Sequence, residues 1–230
     1  RWRGPRVVTI RIRPARFAAA QRDAAGYVAH IESERESFDV RCRALVNAGG
    51  PWIADVQRRI TPRPLVLDVE LVAGTHVELA STLERGIYYC EAPRDQRAVF
   101  LMPWHGRLLV GTTETPYQGN PAQVAPMQSE IDYLLETLRR YMPTRPREVL
   151  ASWAGLRVLP RTGTSVFSRP REVAFTFDDE RAPRLVAIWG GKLTGFRATA
   201  AKVVAHLAPG LPSVTRRADT TTLRLPAAQA

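Results

Sequence analysis

The 230-residue chain is 45% apolar and 24% charged, the balance of a globular protein with room for one or two domains, and it holds no apolar run near the length of a membrane span. Its net charge of +11, from 33 basic and 22 acidic residues, raises binding to nucleic acid or an anionic membrane. The arginine pairs at 58–59, 139–140 and 216–217 are scattered, however, and no basic stripe with interleaved aromatics accompanies them, so no nucleic-acid partner is expected and peripheral membrane attachment stays open.

In chain order, residues 1–5 (RWRGP) carry neither an initiator Met nor a signal-peptide core, and the chain is read as the middle of a longer protein. Segments 7–12 and 27–31 are β-rich and 38–43 alternates, with a turn at 21–26 that pivots on Gly26, which predicts an antiparallel meander. A short apolar strand then runs through Asn47 and Ala48 into Gly49 and Gly50, with Pro51 opening a helix. From 61 to 177 the pattern becomes a series of strands at 65–79, 86–90, 98–104, 107–113, 152–160, 166–169 and 172–177. One helix interrupts them at 128–141, where Ile131, Leu134, Leu135 and Leu138 share a face and Pro143 stands just beyond.

Residues 185–197 organise the rest. They read as a buried strand, the turn Gly190-Gly191-Lys192, and the start of a helix that runs to about Leu207. Paired glycines let a backbone approach something flat or charged, and a helix start favours negative charge there. Lys192 is one of only two lysines in an arginine-rich chain. Two strand–glycine–helix units in one chain suggest a nucleotide-cofactor fold, although glycine pairs also serve packing alone. The expected architecture is mixed α/β (α+β): 1–61 and 183–208 form part of a cofactor domain, a mainly antiparallel β-sheet substrate domain at 62–182 interrupts it, and 209–230 is a loose tail. Cys42 and Cys90 lie far apart and the four histidines lack metal spacing, so neither a disulfide framework nor a metal site is expected, and a reducing cytoplasm fits.

Six blocks in order, VNAGGPW at 46–52, LVAGTH at 71–76, GTTETPY at 111–117, EIDYLL at 130–135, WAGLRVLP at 153–160 and WGGKLTGFR at 189–197, resemble FAD-dependent glycerol-3-phosphate dehydrogenases, within the wider D-amino-acid-oxidase-like flavoproteins. The resemblance spans roughly 8–208. It implies oxidation of glycerol 3-phosphate to dihydroxyacetone phosphate by hydride transfer to FAD, with electrons passed to a quinone and the protein cytoplasmic, peripheral attachment to the inner face of the cell membrane being left open. No GxGxxG for the FAD diphosphate occurs here, so this chain by itself is expected to be inactive and free of bound FAD, with the Val46 and Ile188 strands short of neighbours. Glu114 stands where the family usually has Asp, Val158 where it has Pro, and Gly195-Phe196 where it has Thr-Tyr.

The resemblance sets Asn47, Ala48, Gly49 and Gly50 against the FAD, and Gly190, Gly191, Lys192, Leu193 and Thr194 beside its flavin ring, where a cation stabilises charge gained on reduction. Lys192 is also a candidate substrate contact, against the ordinary alternative of a surface lysine. His76 is the candidate proton acceptor, against the ordinary alternative of a structural histidine. Arg157, in an apolar strand, needs an anionic partner, either the substrate or a buried carboxylate, and Arg169 is a second phosphate candidate. Trp52 is expected in the core, Glu114 in a supporting role, and Tyr117 and Trp153 in packing or at a cleft wall. The competing readings are a flavin oxidoreductase acting on another hydroxy acid or an amino acid, and a non-enzymatic basic module.

Overall fold

The computed structural model describes residues 14–161, 172–213 and 219–222. The first strands, β1 (Ala15–Arg22), β2 (Tyr27–Ser33) and β3 (Ser37–Cys42), form an antiparallel meander. The short β4 (Leu45–Asn47) leads through a single 3-10 turn at Gly50–Trp52 into α1 (Ile53–Arg58), and β5 (Ile60–Thr61) returns parallel to β1. Next come the long β6 (Val69–Leu79), then β7 (Tyr88–Glu91), β8 (Ala98–Trp104), β9 (Arg107–Gly111) and β10 (Thr115–Tyr117). Helix α2 (Gln128–Tyr141) precedes β11 (Val149–Pro160), β12 (Val173–Phe177) and β13 (Leu185–Gly190), and α3 (Phe196–Leu207) closes the series after a 3-10 turn at Leu193–Gly195.

These strands make three sheets. The meander sheet has the order β3-β2-β1-β5. The largest is organised on β6, which pairs with β11 along one edge and with β9 and β10 on the other, while β8 and β7 follow β9 outward. Neighbouring residues on a strand point to opposite faces, so one face of this sheet carries Val77, Val99, Leu101 and Val110. Leu134 and Leu138 of α2 pack on that face and are fully buried with it. The opposite face has no helix on it among the described residues.

The third sheet, β12-β13-β4, is small and mixed. Its central strand buries Leu185, Val186, Ala187 and Trp189 completely, as a strand covered on both faces should. Trp189 donates from Nε1 to the Thr176 hydroxyl at 2.9 Å, which settles the indole's one polar atom. Asp178, after β12, accepts from the Tyr27 hydroxyl and from the Arg184 and Leu185 amides, and pairs with Arg22, tying the meander to this sheet.

Several expectations change. The segments at 7–12 and 166–169 lie outside the described residues. The first observed strand is β1, an alanine-rich stretch with little intrinsic strand preference that is held by its pairing with β2. Residues 65–68 are not strand. Strand β12 pairs with β13 and not with the sheet of β6, so it joins the cofactor-side strands. Ile188 has Phe175 of β12 opposite it, whereas among the described residues β4 is an edge strand and leaves Val46 exposed. Trp52, expected in the core, is 44% exposed.

Candidate functional site

Strands β4 and β13 are parallel and in register at Leu45–Leu185, Val46–Val186 and Asn47–Ala187. Parallel neighbours end on the same side, so the two glycine turns that follow them meet there. The backbone at Gly50, Gly190 and Gly191 has φ of +52°, +68° and +87°, a region that side chains with a Cβ avoid. Between the turns and β11 lies a cleft of about 440 Å³, bounded by Gly50, Pro51, Arg157, Gly190, Lys192 and Leu193. Ala48, Lys192, Leu193 and Thr194 are exposed around it. Leu193 is 88% exposed, unusual for a leucine beside a cleft.

Asn47 serves this site from behind. Its amide nitrogen donates to the Ile53 carbonyl at 3.0 Å and to Gln57 Oε1 at 3.1 Å, and its Oδ1 accepts from the Gly49 amide at 3.1 Å. The side chain is buried and faces α1, so it shapes the turn whose backbone borders the cleft.

The open face of the large sheet supplies the rest. His76 stands opposite Trp153 on β11 and opposite Gly111 on β9, and Gly111 in turn faces Phe100, which faces Tyr89. Directly paired residues share a face, so Trp153, His76, Phe100 and Tyr89 form one row across five strands. The Trp153 and His76 rings stack at 5.9 Å with 10° between planes. Gly111 is required by this arrangement, since a Cβ there would lie 2.2 Å from His76 Cδ2. Two residues along the same face, Gly74 and Gly155 pair with each other, and two further on comes Arg157. The Arg157 side chain reaches back over Gly74, with Nη2 3.0 Å from where a Cβ of that residue would be. His76 and the Gly74–Gly155 pair are therefore consecutive on this face, with the Arg157 guanidinium reaching over Gly74 toward the imidazole. Burial holds the His76 pKa below its ordinary value and the Arg157 charge pushes it further down, so the imidazole is neutral at neutral pH with a lone pair to accept a proton.

Arg157 also has an internal carboxylate. Its Nη1 donates to Glu114 Oε1 at 3.0 Å, and Arg97 pairs with the other oxygen of Glu114. Glu114 orients the guanidinium from one side. Beneath the His76 row lies a residue that the sequence did not single out as functional. Glu130 of α2 is 5% exposed and accepts hydrogen bonds from the hydroxyls of Thr75, Thr113 and Thr115 at 2.6–2.8 Å and from the Met127 amide at 3.1 Å. Burial alone would raise its pKa, but these four donors bring it below the ordinary carboxylate value. Thr75 is the neighbour of His76, so this grip fixes the strand segment that carries the imidazole. The signal was present as two threonines in TTET, one in LVAGTH and a glutamate in EIDYLL, but no spacing rule joins residues so far apart in the chain.

Arg169 lies outside the described residues. Among those described, no cluster of His, Cys, Asp and Glu could hold a metal ion, and no helix is long and apolar enough to cross a membrane.

Comparison with known proteins gives a consistent picture. The family model for DAO, FAD dependent oxidoreductase, matches residues 8–207. A D-erythritol 1-phosphate dehydrogenase of Brucella abortus is 31% identical over 185 residues, 78% of this chain and 37% of that protein. A glycerol-3-phosphate dehydrogenase of Pseudomonas aeruginosa is 30% identical over 201 residues, 84% of this chain and 39% of that protein. The crystal structure of a glycerol-3-phosphate dehydrogenase from Bacillus halodurans complexed with FAD superposes with a TM-score of 0.70 at 27% identity, covering 85% of this chain and 38% of the other. The chain thus spans under two-fifths of the length of these relatives.

Proposed function

Because the chain belongs to the DAO family of FAD-dependent oxidoreductases, we propose that it forms the substrate-facing half of a flavoenzyme that oxidises a secondary alcohol of a phosphorylated polyol, sn-glycerol 3-phosphate in the first instance. The observation that carries this reading is the sequence of groups on one sheet face, a neutral imidazole, a glycine pair and an arginine, the arginine also bordering the cleft where both glycine turns meet.

The cleft suits a flat ring edge. Gly50 has nothing within 4 Å of a Cβ position, and a Cβ on Gly190 would lie 3.0 Å from the Val158 carbonyl, so both turns present bare backbone. Gly190, Gly191, Lys192, Leu193 and Thr194 on one side, and Ala48, Gly49 and Gly50 on the other, would hold the flavin, with Asn47 bracing its turn. Bound FAD would supply the acceptor for the hydride that leaves the carbinol carbon.

Arg157 binds the phosphate, for which a planar guanidinium gives paired donors, and Glu114 fixes its orientation. His76 takes the hydroxyl proton. Its neutral form is the competent one, and the Arg157 charge that anchors the substrate also keeps the imidazole neutral. Lys192 places positive charge at the cleft mouth, where it offsets negative charge on the reduced ring or the phosphate. Arg169 is proposed as an auxiliary phosphate contact, and a quinone at a membrane surface as electron acceptor; the latter two rest on the resemblance alone.

The test is anaerobic titration of the full-length protein with sn-glycerol 3-phosphate, D-erythritol 1-phosphate, glycine and lactate, followed by loss of flavin absorbance. Bleaching by the phosphate esters alone is expected. Bleaching by an amino or hydroxy acid and by neither ester would overturn the assignment.

A further inference from the structure

Three glycines lie on the open face around His76, and contacts among the described residues explain only two. A Cβ on Gly111 would strike the His76 ring at 2.2 Å, and one on Gly74 would meet Thr112 Oγ1 at 2.6 Å and Arg157 Nη2 at 3.0 Å. Gly155 differs. Nothing among the described residues comes within 4 Å of a Cβ placed there, and its backbone is not in the left-handed region. Glycine inside a strand weakens it, because it gives up more backbone freedom on folding and offers no side chain to pack. Gly155 sits well inside the twelve-residue β11 and is exposed. A strand-interior glycine with no packing reason among the described residues, and no bulge at its position, fits a place where a ligand or another backbone comes close.

Its position says what. Gly155 lies between Trp153, stacked on His76, and Arg157, along one strand face. Trp153 and Arg157 are four residues apart along the strand, about 13 Å, and the Arg157 side chain reaches back over Gly74 toward His76, so the gap left between imidazole and guanidinium has the dimension of a short carbon chain. We propose that Gly155 is a specificity-determining position: its missing side chain makes room for the carbons that join the substrate's phosphate, on Arg157, to its reacting carbinol, at His76. The inference rests on the phosphorylated-polyol reading above. Gly155 takes no part in chemistry; it decides whether an organic phosphate, as against phosphate itself, can lie down between the two groups.

The experiment uses Gly155→Ala and Gly155→Ser in the full-length protein. Oxidised protein is titrated calorimetrically with dihydroxyacetone phosphate, a ketose phosphate that does not reduce a flavin, and separately with inorganic phosphate. Flavin content and melting temperature are measured on the same samples. One misplaced methyl in a fitted site is worth about ten-fold or more. The expected result is that Gly155→Ala binds dihydroxyacetone phosphate at least ten-fold more weakly, binds inorganic phosphate within two-fold of the parent, and keeps its flavin and melting point, with Gly155→Ser weaker still for the ketose phosphate. Unchanged ketose phosphate binding would overturn the inference and leave the functional reading intact. Lost flavin with unchanged phosphate binding would overturn it too, by making the ring the occupant of the space. Parallel loss of both phosphates with a lowered melting point in both variants would assign the glycine to packing and also overturn it. If the parent binds neither phosphate, the functional reading itself falls, and this inference with it.

Discussion

Gly111→Ala tests the placement of His76 by adding one methyl group. The new Cβ would stand 2.2 Å from Cδ2, 2.8 Å from Cγ and 2.9 Å from Nε2 of the imidazole. Carbon atoms in contact prefer about 3.5–4 Å, so the ring or the strand must yield by roughly 1.3 Å. Strand separation would break the β6–β9 ladder, in which His76 and Gly111 are partners. Ring displacement would disturb the stack on Trp153. Overpacking of this kind costs about 1–3 kcal/mol, which lowers the melting temperature of a domain this size by about 2–12 °C. Thermal and urea melts measure the cost, and the His76 ring resonances report the displacement. Gly155→Ala is the internal control: it places the same group on the same face without a contact, and should leave stability unchanged or raise it by about 0.5–1 kcal/mol. Equal melts for Gly111→Ala and the parent, with the His76 resonances unmoved, would refute the geometry, as would equal losses for the two variants.

Replacing Arg157 with Gln removes a cation beside His76. The imidazolium then forms more readily, the His76 pKa rises, and the acid limb of flavin reduction moves to higher pH; a proton titration of His76 that shifts downward would contradict the pairing. Glu130→Ala leaves three threonine hydroxyls and an amide without their acceptor and should destabilise by at least about 2 kcal/mol in a urea melt. The folded-state pKa of Glu130 lies below its ordinary 4.5, so its contribution is fully present above that value and is lost as pH falls through the folded one; Glu130→Gln should flatten stability against pH in that acid window. Asn47→Ala abolishes three hydrogen bonds and leaves Gln57 Oε1 and the Gly49 amide without this partner, which should lower stability by about 1–3 kcal/mol and loosen amide-exchange protection at Gly49 before any effect appears in the sheet of β6.

Helix α2 was legible because Leu134 and Leu138 repeat at helical spacing and face an apolar sheet, and its observed bounds match the reading. Strand β1 was not, because four alanines give no periodic signal and its identity comes from β2 alongside. The convergence of the two glycine turns was readable from their common strand–glycine–helix form, and the parallel register of β4 and β13 accounts for it. The sequence put Asn47 at this turn but gave no direction for its side chain, because its hydrogen-bond partners on α1 are set only when the helix folds back on β4. Arg157 was recognised as a charge in need of an anion. Sequence left a ligand and a carboxylate as alternatives, and Glu114 now supplies the carboxylate on one side. Glu130 reads as a solvated charge in the first turn of a helix, and only the meeting of α2 with β6 and β10 turns it into a buried acceptor.

The parallel pairing that creates the cleft also sets an order of events during synthesis. Strand β4 emerges from the ribosome long before its partner β13 exists, about 140 residues later, which at about 5–20 residues per second is a wait of roughly 7–28 s. The meander and the sheet on β6 can close from nearby segments in that time, with the exception that β11 must arrive to finish the latter. The cleft can therefore assemble only after β13 has emerged. Until then Val46 lacks the strand that flanks it in the folded chain, and its backbone is an open edge for other pairings.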